Sequence, residues 1–314
     1  MKRSQAIALT GAAALLPRLA AAQDAQKLRV GFSPAGESLA HGAFAEEGGF
    51  FTKAGIAAEM IAVPNGGAMT AGIVSGAIDV GPSNVASMAA AYAHGLRLNL
   101  FAPSVIISSS APPTTILAVR SDSPIRSARD FAGKTIACNT LRDLQQAAVM
   151  TWLDKNGGDS KSVAFLELPN PDQLGALAAK RIDAACLVEP FISSVSSDTR
   201  FVGRPYDSLG KQIMTFGWIA NKAWYDANPA LVKTLVGALR DAARWANRNP
   251  AATAAIISKY SKVPVAAIMT QNRQQFADGK LDPRLIQPII DAAAHYGFLP
   301  QAFAATDLFA PNLA

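Results

Sequence analysis

Hydrophobic and polar positions along the chain follow a pattern that occurs twice, over residues 72–84 and again over residues 175–190. In each copy, small and apolar residues predict a short helix, an Ile-Asp pair predicts a tight turn, and an apolar run predicts a buried strand. Each strand stops at polar or turn-forming residues, Ser83-Asn84 in the first copy and Glu189-Pro190 in the second. The repeat predicts two similar lobes that hold something between them.

The segments before each copy extend the pattern to strand-helix-strand-helix-strand. The predicted strands cover residues 27–34, 58–63 and 78–81 in the first half, and 135–138, 163–168 and 184–188 in the second half. This order folds into a mostly parallel sheet with helices on its faces. The spacing agrees, because 50 residues separate Val30 from Val80 and 50 separate Ile136 from Cys186. The sequence therefore predicts an α/β protein with two related lobes.

Two further apolar segments, residues 114–119 and 212–220, are predicted to be strands that cross between the lobes. The chain after them is predicted to be helical, because Asn-Pro and Asp-Pro pairs mark helix starts. The predicted organisation is a signal peptide at 1–22, a discontinuous first lobe of 27–116 plus 219–314, and a second lobe of 117–218 that includes the hinge crossings. Closure is expected near Thr115–Arg120 and Met214–Trp218.

The first 22 residues have the pattern of a cleavable export signal. Lys2-Arg3 forms a basic start, residues 6–16 form an apolar run, and Ala20-Ala21-Ala22 fits a small-residue cleavage site. The apolar run is too short to span a bilayer. A buried N-terminal helix is the alternative, and it fits these flanking residues less well. We expect a soluble protein of the periplasm.

Composition narrows the function classes. Half of the 314 residues are hydrophobic and 17% are charged, which excludes a disordered chain. The net charge of +6 falls to +3, 26 basic against 23 acidic side chains, once residues 1–22 are removed. No nucleic-acid partner is therefore predicted. Cys138 and Cys186 fall in predicted strands; we favour two buried free thiols, although a disulfide stays possible in an oxidising compartment.

Ligands of open parallel sheets bind beyond the carboxyl ends of the strands, where helix N-termini converge. This rule and the two crossings select the candidate site. The candidate ligand-binding residues are Phe32, Ser33, Asn65, Gly66, Ser83, Asn84, Thr115, Asn139, Thr140, Arg142, Glu189 and Trp218.

Several candidates have a structural alternative. Ser83 and Asn84 could cap the following helix, a role that is compatible with ligand contact. Arg142 could bind an anionic ligand group, or it could form a local ion pair with Asp143. Phe32 and Trp218 could stack on a ligand or belong to the core.

Glu189 also has two possible roles: it could accept N–H groups of a ligand, which we favour, or it could form a hydrogen bond between the lobes. The two aspartates of the repeat, Asp79 and Asp183, are predicted to fix the turn before each strand and to have no part in binding.

No catalytic or metal-binding motif stands out. The three histidines are scattered, and the chain has no GxSxG elbow, no P-loop and no GxGxxG that opens a helix. We therefore predict a protein that is not an enzyme and that has no cofactor, no metal and no catalytic residue.

The chain resembles the periplasmic substrate-binding proteins of ABC transporters. The resemblance rests on residues 28–31, the Ile-Asp repeat, the segment 130–137, Glu189-Pro190-Phe191, and Trp224-Tyr225 with Asn228-Pro229. Over about residues 27–300 the chain is most similar to the NMT1/THI5-like group, with its nitrate-, sulfonate-, taurine- and thiamine-pyrimidine-binding relatives. The resemblance implies the two-lobed, hinge-closing fold called type II and an ABC permease in the inner membrane as partner. It also implies ligand contacts at Ser33, Ser83, Asn139 and Thr140.

These observations predict a monomeric solute receptor that closes on a small-molecule ligand, a sulfonate, a carboxylate or a pyrimidine-like compound. Within the group, Arg142 favours an anion and Glu189 favours an amine-bearing ligand. Two other functions stay open: an enzyme of pyrimidine or thiamine-precursor metabolism on the same scaffold, and a partner that presents solute to a sensor.

Overall fold

The structure is a computed structural model that describes residues 26–34 and 36–311. The predicted signal peptide lies outside these described residues. The strands are β1 (Gln26–Phe32), β2 (Ile56–Ala62), β3 (Val80–Asn84), β4 (Leu98–Ser108), β5 (Thr115–Arg120), β6 (Thr135–Cys138), β7 (Ala164–Glu167), β8 (Ala184–Val188), β9 (Thr199–Gly203), β10 (Gln212–Asn221) and β11 (Gln275–Phe276).

The helices are α1 (His41–Glu47), α2 (Phe50–Lys53), α3 (Gly66–Val74), α4 (Val85–Ala93), α5 (Leu144–Lys155), α6 (Asn170–Ala178), α7 (Lys222–Ala227), α8 (Pro229–Arg248), α9 (Pro250–Ser261), α10 (Val265–Met269) and α11 (Gln287–His295). Within the described ranges, no helix has the length and apolar character that crossing a membrane requires.

The strands form two mixed sheets flanked by helices, one in each lobe, which confirms the predicted fold class. The first sheet has the strand order β11-β4-β10-β3-β1-β2, and the second has the order β7-β6-β8-β5-β9. The triplets β2-β1-β3 and β7-β6-β8, each at one edge of its sheet, are parallel and have the same relative order. Val30 lies opposite Val80, and Ile136 lies opposite Ala184. The repeated sequence pattern thus folds into the same three-stranded unit twice.

The chain leaves the first sheet after β4 and returns to it at β10. The two linking segments, residues 109–114 and 204–211, contact each other. The Ser109 amide donates to the Lys211 carbonyl at 2.9 Å, and the Arg204 guanidinium donates to the Ala111 carbonyl at 2.9 Å. The predicted hinge residues lie inside the strands on either side of these links, in β5 and β10. The division into lobes by residue number stays a prediction.

The aspartates of the repeat hold each turn to a neighbouring strand. The Asp79 carboxylate accepts the Arg29 backbone N–H at 2.8 Å, and it is bridged by the Arg29 guanidinium. In the second lobe, the Asp183 carboxylate accepts the Thr135 backbone N–H at 2.9 Å. Both aspartates therefore support the fold, as predicted.

The lobes also meet through apolar side chains. Leu144 and Ala147 of α5 belong to the same buried cluster as Ile289 and Ile290 of α11, a helix that follows the strands of the first sheet. This contact lies at the N-terminal half of α5, next to the strand ends of both sheets. Burial of apolar surface therefore contributes to holding the two lobes together.

Candidate functional site

A cavity of about 150 Å³ lies where the carboxyl ends of the two sheets face each other. From the first lobe it is lined by Ser33, Gly36, Ser38, Leu39, Pro64, Asn65, Gly66, Asn84, Ile107, Thr215, Phe216 and Gln274. From the second lobe and the links it is lined by Thr114, Thr115, Asn139, Thr140, Asp143, Leu144, Gln145, Asn170, Val188, Glu189 and Tyr206. Ligand pockets are typically about 300–1,000 Å³. The cavity therefore fits a small solute.

Two asparagines shape the first-lobe wall by capping helices. The Asn65 carboxamide oxygen accepts the Ala68 N–H at 2.9 Å at the start of α3, and the Asn84 carboxamide oxygen accepts the Ser87 N–H at 2.8 Å at the start of α4. Gly66 fits between them because a Cβ at this position would lie 2.8 Å from Asn84 Nδ2. The close approach of β3 to α3 therefore requires glycine here.

On the second-lobe wall, Asn139 ties two strand ends together. Its carboxamide oxygen accepts the Asn170 N–H at 3.2 Å, and its backbone N–H donates to Gln145 Oε1 at 2.8 Å. Asn139 follows β6, and Asn170 begins α6 after β7. These hydrogen bonds fix the polar wall on the side of the cavity that faces the first lobe.

Asp143 connects the two walls. Its Oδ2 accepts a hydrogen bond from Asn84 Nδ2 at 3.0 Å, and the Ser87 hydroxyl lies 3.3 Å from both carboxylate oxygens. Asp143 is the N-cap residue of α5, while Asn84 and Ser87 open α4. The positive ends of two helix dipoles therefore face this carboxylate. Burial raises the pKa of Asp143 above its ordinary value of 3.8, and hydrogen bonds from the Leu144 backbone N–H and from the Asn84 and Ser87 side chains oppose that change.

Glu189 makes the lobe-to-lobe hydrogen bond that was one of its two predicted roles. Its Oε1 accepts the Asn272 backbone N–H at 2.9 Å and the Ser193 hydroxyl at 3.0 Å, and its Oε2 accepts the Ser193 N–H at 3.1 Å. Asn272 comes from the segment just before β11 of the first sheet, and its side chain donates to the Pro113 carbonyl at 2.8 Å. Three protein donors therefore occupy the Glu189 carboxylate.

The cavity wall combines polar side chains with apolar ones such as Leu39, Ile107 and Phe216, and none of the described residues that line it is Lys, Arg or His. Two residues that line the cavity have a buried side-chain oxygen without a hydrogen-bond partner among the described residues, the Thr114 hydroxyl and the Gln274 carboxamide oxygen. The Thr114 side chain belongs to a residue that is only 6% exposed. A buried polar atom without a partner is costly, so both atoms indicate where a solute or water would form hydrogen bonds.

The structure brings eight of the predicted site residues to the cavity and places four elsewhere. The residues that line it are Ser33, Asn65, Gly66, Asn84, Thr115, Asn139, Thr140 and Glu189. The residues that do not line it are Phe32, Ser83, Arg142 and Trp218.

Ser83 and Phe32 support the first-lobe wall from behind. The Ser83 hydroxyl donates to the Gly66 carbonyl at 2.8 Å and lies 2.7 Å from the Thr70 hydroxyl. The Phe32 ring packs edge-on against Tyr260, with 4.8 Å between the ring centroids. Their chain positions at strand ends are as predicted, but their side chains point into the packing of the first lobe.

Trp218 is fully buried in the first sheet, where its Nε1–H donates to His41 Nδ1 at 3.1 Å. The Arg142 guanidinium donates to the Gly297 carbonyl at 2.6 Å and lies over the Phe298 ring. This contact joins Arg142 to the segment after α11. It matches neither predicted role of Arg142, which were contact with the ligand and an ion pair with Asp143.

The cavity is also lined by residues that were not among the sequence candidates, including Asp143, Tyr206, Thr215 and Gln274. Asp143 follows Arg142 directly at a predicted helix start, and that position was the only signal for it. Gln274 and Tyr206 come from segments without a repeat or motif. Within the described ranges, no group of three or more His, Cys, Asp or Glu side chains is placed to hold a metal ion.

Two parallel units that face each other across a polar cavity define the periplasmic binding protein fold. The chain belongs to the NMT1/THI5-like family, whose model matches residues 40–253. This range covers the second sheet, the first sheet except β1 and β11, and most of the cavity wall. Among curated proteins, no sequence match to this chain was found.

Three solved structures show the extent of the similarity. The alkanesulfonate-binding protein SsuA from Xanthomonas axonopodis pv. citri, bound to MOPS, is 18% identical with a TM-score of 0.74, over 90% of this chain and 98% of that chain. The periplasmic nitrate-binding protein NrtA from Synechocystis PCC 6803 is 17% identical with a TM-score of 0.71, over 90% and 84%. The desulfurization enzyme DSZB is 18% identical with a TM-score of 0.66, over 91% and 97%. At these identities the similarity establishes the fold.

Proposed function

We propose that this protein is the periplasmic solute-binding component of an ABC importer. It holds one small polar solute in the cavity between the lobes and delivers it to a permease in the inner membrane. The sequence leaves sulfonates, carboxylates and pyrimidine-like compounds as candidate solutes. The observation that carries the proposal is the cavity itself, because both lobes supply its polar wall through the carboxyl ends of their strands.

The contacts across the cavity support closure around the solute. Asp143 joins Asn84, and Glu189 joins Asn272, on different sides of the cavity wall. A third contact joins the Tyr296 hydroxyl to Asp154 Oδ2 at 2.9 Å. Opening the lobes would break these hydrogen bonds and expose the wall to solvent. A solute that adds contacts to both walls therefore shifts the population toward the closed form.

We further propose that the hinge lies in the linking segments, residues 109–114 and 204–211. Strands β5 and β10 are paired on both sides within their own sheets, so bending them would break ladder hydrogen bonds. The links belong to neither sheet; besides the hydrogen bonds that join them to each other, the Pro113 carbonyl accepts from Asn272 and the Ser208 carbonyl accepts from Lys155. Hinges are commonly short segments of this kind at the ends of elements.

An enzyme on the same scaffold is the main alternative, since DSZB is described as an enzyme and shares the fold. The lining residues of the cavity include neither histidine nor cysteine, and Cys138 and Cys186 are buried free thiols in β6 and β8. Nucleophilic catalysis usually pairs such groups within hydrogen-bond reach. The wall supports binding better than turnover. A solute-presenting sensor partner would use the same cavity, and only its protein partner would differ.

The test is a ligand screen on the mature protein. Differential scanning fluorimetry with sulfonates, carboxylates, amines and pyrimidines should find solutes that raise the melting temperature, and calorimetry should then give one site per chain. The bound solute should be recovered unchanged. Small-angle X-ray scattering should show a smaller radius of gyration with the solute than without it.

Two matched variants locate the binding site. Ser38 lies half-buried on the cavity wall, so Ser38→Phe should fill the cavity and abolish the thermal shift. Ser196 is exposed outside the cavity, so Ser196→Phe should leave the shift unchanged. A solute that stabilises both variants equally, or that is converted to a product, would contradict the proposal.

A further inference from the structure

The charged side chains of the cavity wall are all acidic. It holds two carboxylates, Asp143 and Glu189, and among the described lining residues it holds no basic side chain to neutralise them. The Glu189 carboxylate is occupied by Ser193 and Asn272. Asp143 receives the Asn84 and Ser87 side chains and the Leu144 backbone N–H. A carboxylate has about four acceptor positions, so Asp143, which lines the cavity, keeps room for about one more donor.

A second acceptor on the same wall has no partner. Gln274 Oε1 is buried and makes no hydrogen bond among the described residues. The hydroxyl of Thr114, a residue in the first link, is also buried and unpartnered on this wall. Carboxamide and carboxylate oxygens accept hydrogen bonds, and a hydroxyl can do so too. The Asp143 carboxylate and the Gln274 carboxamide oxygen are thus two acceptors that only an N–H or O–H donor satisfies.

Helix N-termini commonly attract anionic ligands, but here the protein supplies the anion. The helix N-termini nearest to Asp143 are those of α4 and α5, and both face its carboxylate. An anionic solute at this place would meet the Asp143 charge with no basic side chain on the wall to offset it. A solute with N–H groups would instead satisfy acceptors that the protein leaves open.

We propose that Asp143 and Gln274 receive N–H groups of the solute, and that the cavity selects a solute with N–H donors, such as an amidine or an aminopyrimidine, over a simple anion. This inference rests on the proposed function and specifies its ligand. It sets the chain apart from its structural neighbours that are named for nitrate and alkanesulfonate. Asp143 is then the residue that determines specificity, a role that sequence reasoning assigned to Glu189.

The experiment compares matched solutes on the full mature protein. The probes with N–H donors are acetamidine and 4-aminopyrimidine; pyrimidine is the control that lacks the amino group, and nitrate and ethanesulfonate are the anions. Thermal shift and calorimetry should detect acetamidine or 4-aminopyrimidine, and they should show little binding of pyrimidine or either anion. Asp143→Asn should weaken the binding of the N–H probes on the order of tenfold to a hundredfold, the range for a hydrogen bond to a charged group.

Two further variants keep the test decisive. Asp172 is exposed on α6 of the same lobe, so Asp172→Asn should keep wild-type affinity. Gln274→Met removes an oxygen that has no protein partner, so it should fold well and weaken the N–H probes even if Asp143→Asn fails to fold. Binding of nitrate or ethanesulfonate that Asp143→Asn leaves unchanged or strengthens would overturn this inference and leave the receptor function intact. A protein that binds no probe and no compound of the broad screen would overturn both.

Discussion

Asn84 Nδ2 donates a hydrogen bond to Asp143 Oδ2 at 3.0 Å, and this contact joins the two lobes. Asn84 ends β3 of the first sheet, and Asp143 begins α5 of the second lobe. The same two residues line the cavity. One hydrogen bond therefore belongs both to the contact between the lobes and to the wall on which a solute would bind, so ligand binding and closure are expected to depend on each other.

Asp143→Asn should change how stability depends on pH in the ligand-free protein. The pKa of Asp143 is raised by burial, so the folded protein binds this proton more tightly than the unfolded chain does. The stability from Asp143 is fully present below its ordinary pKa of 3.8 and is lost as pH rises through the raised pKa of the folded state. Relative to the variant, wild type should therefore lose free energy of unfolding between acidic and neutral pH.

Urea unfolding of both proteins at a series of pH values measures this difference. Comparing them at the same pH cancels the titration of all other groups. A difference that is constant from acidic to neutral pH would show that burial does not disfavour the charged form of Asp143.

His41 should make the first lobe sensitive to acid. Its ring is fully buried and accepts the Trp218 N–H at Nδ1, so Nε2 carries the proton that is donated to the Leu239 carbonyl at 3.0 Å. Burial lowers the pKa of His41 from 6.5 to about 4. Its contribution is present above pH 6.5 and is lost as pH falls toward 4, by about 3 kcal/mol in total.

Unfolding followed by tryptophan fluorescence at pH 7 and pH 4.5 checks the His41 prediction. His41→Gln can keep hydrogen bonds to Trp218 and Leu239 without titrating. It should therefore be less stable than wild type at pH 7 but lose less stability on acidification. Equal losses in both proteins would mean that another group causes the acid sensitivity.

Asp79→Ala should weaken the fold without changing ligand affinity. The substitution removes the acceptor of the Arg29 backbone N–H and the partner of its guanidinium. Leaving a buried donor without a partner costs about 1–3 kcal/mol. Denaturant unfolding should show this loss, while calorimetry at a temperature where the variant is folded should give the wild-type affinity. A tenfold loss of affinity in the folded variant would place Asp79 in the binding machinery.

Glu189→Gln should weaken closure more than contact with the solute. The neutral side chain accepts less strongly from the Asn272 N–H, which reaches it from the segment before β11. Loss of part of one hydrogen bond corresponds to an affinity reduced roughly twofold to tenfold. The reduction should be similar for every solute that binds, since the contact lies between protein groups. Unchanged affinity for all of them would remove Glu189 from the closing contacts.

The repeat predicted the fold because a buried strand must be apolar, which makes it visible in the sequence. The order and spacing of the strands along the chain can also be read from the sequence alone. The first and third strands of each unit pair as parallel neighbours, with Val30 opposite Val80 and Ile136 opposite Ala184. The carboxyl-end rule and the crossings also selected eight of the residues that line the cavity from chain positions alone. Strand β9 and the two-residue β11 were missed, since neither has a strong apolar alternation.

Side-chain direction was harder to predict than chain position. Trp218 and His41 are 177 residues apart, so no local pattern shows that the indole is satisfied inside the core. Arg142 has a positive φ of 55°, which turns its side chain toward Gly297 and away from the cavity. Asp143 became a site residue only through Asn84 and Ser87 of the other lobe. Such long-range partners are set by tertiary packing, and a single sequence carries little record of them.

Native mass spectrometry of the protein, purified without denaturation, tests the central claim most directly. Wild type should carry one small solute per chain, and fragmentation of the released solute should show nitrogen with N–H groups. Asp143→Asn should lose this adduct, and Asp172→Asn should keep it. The assigned chemistry would be contradicted by an adduct that is a simple anion, or by one that Asp143→Asn retains in full. Solute binding itself would be contradicted by a wild-type protein that is empty and stays empty after incubation with periplasmic extract.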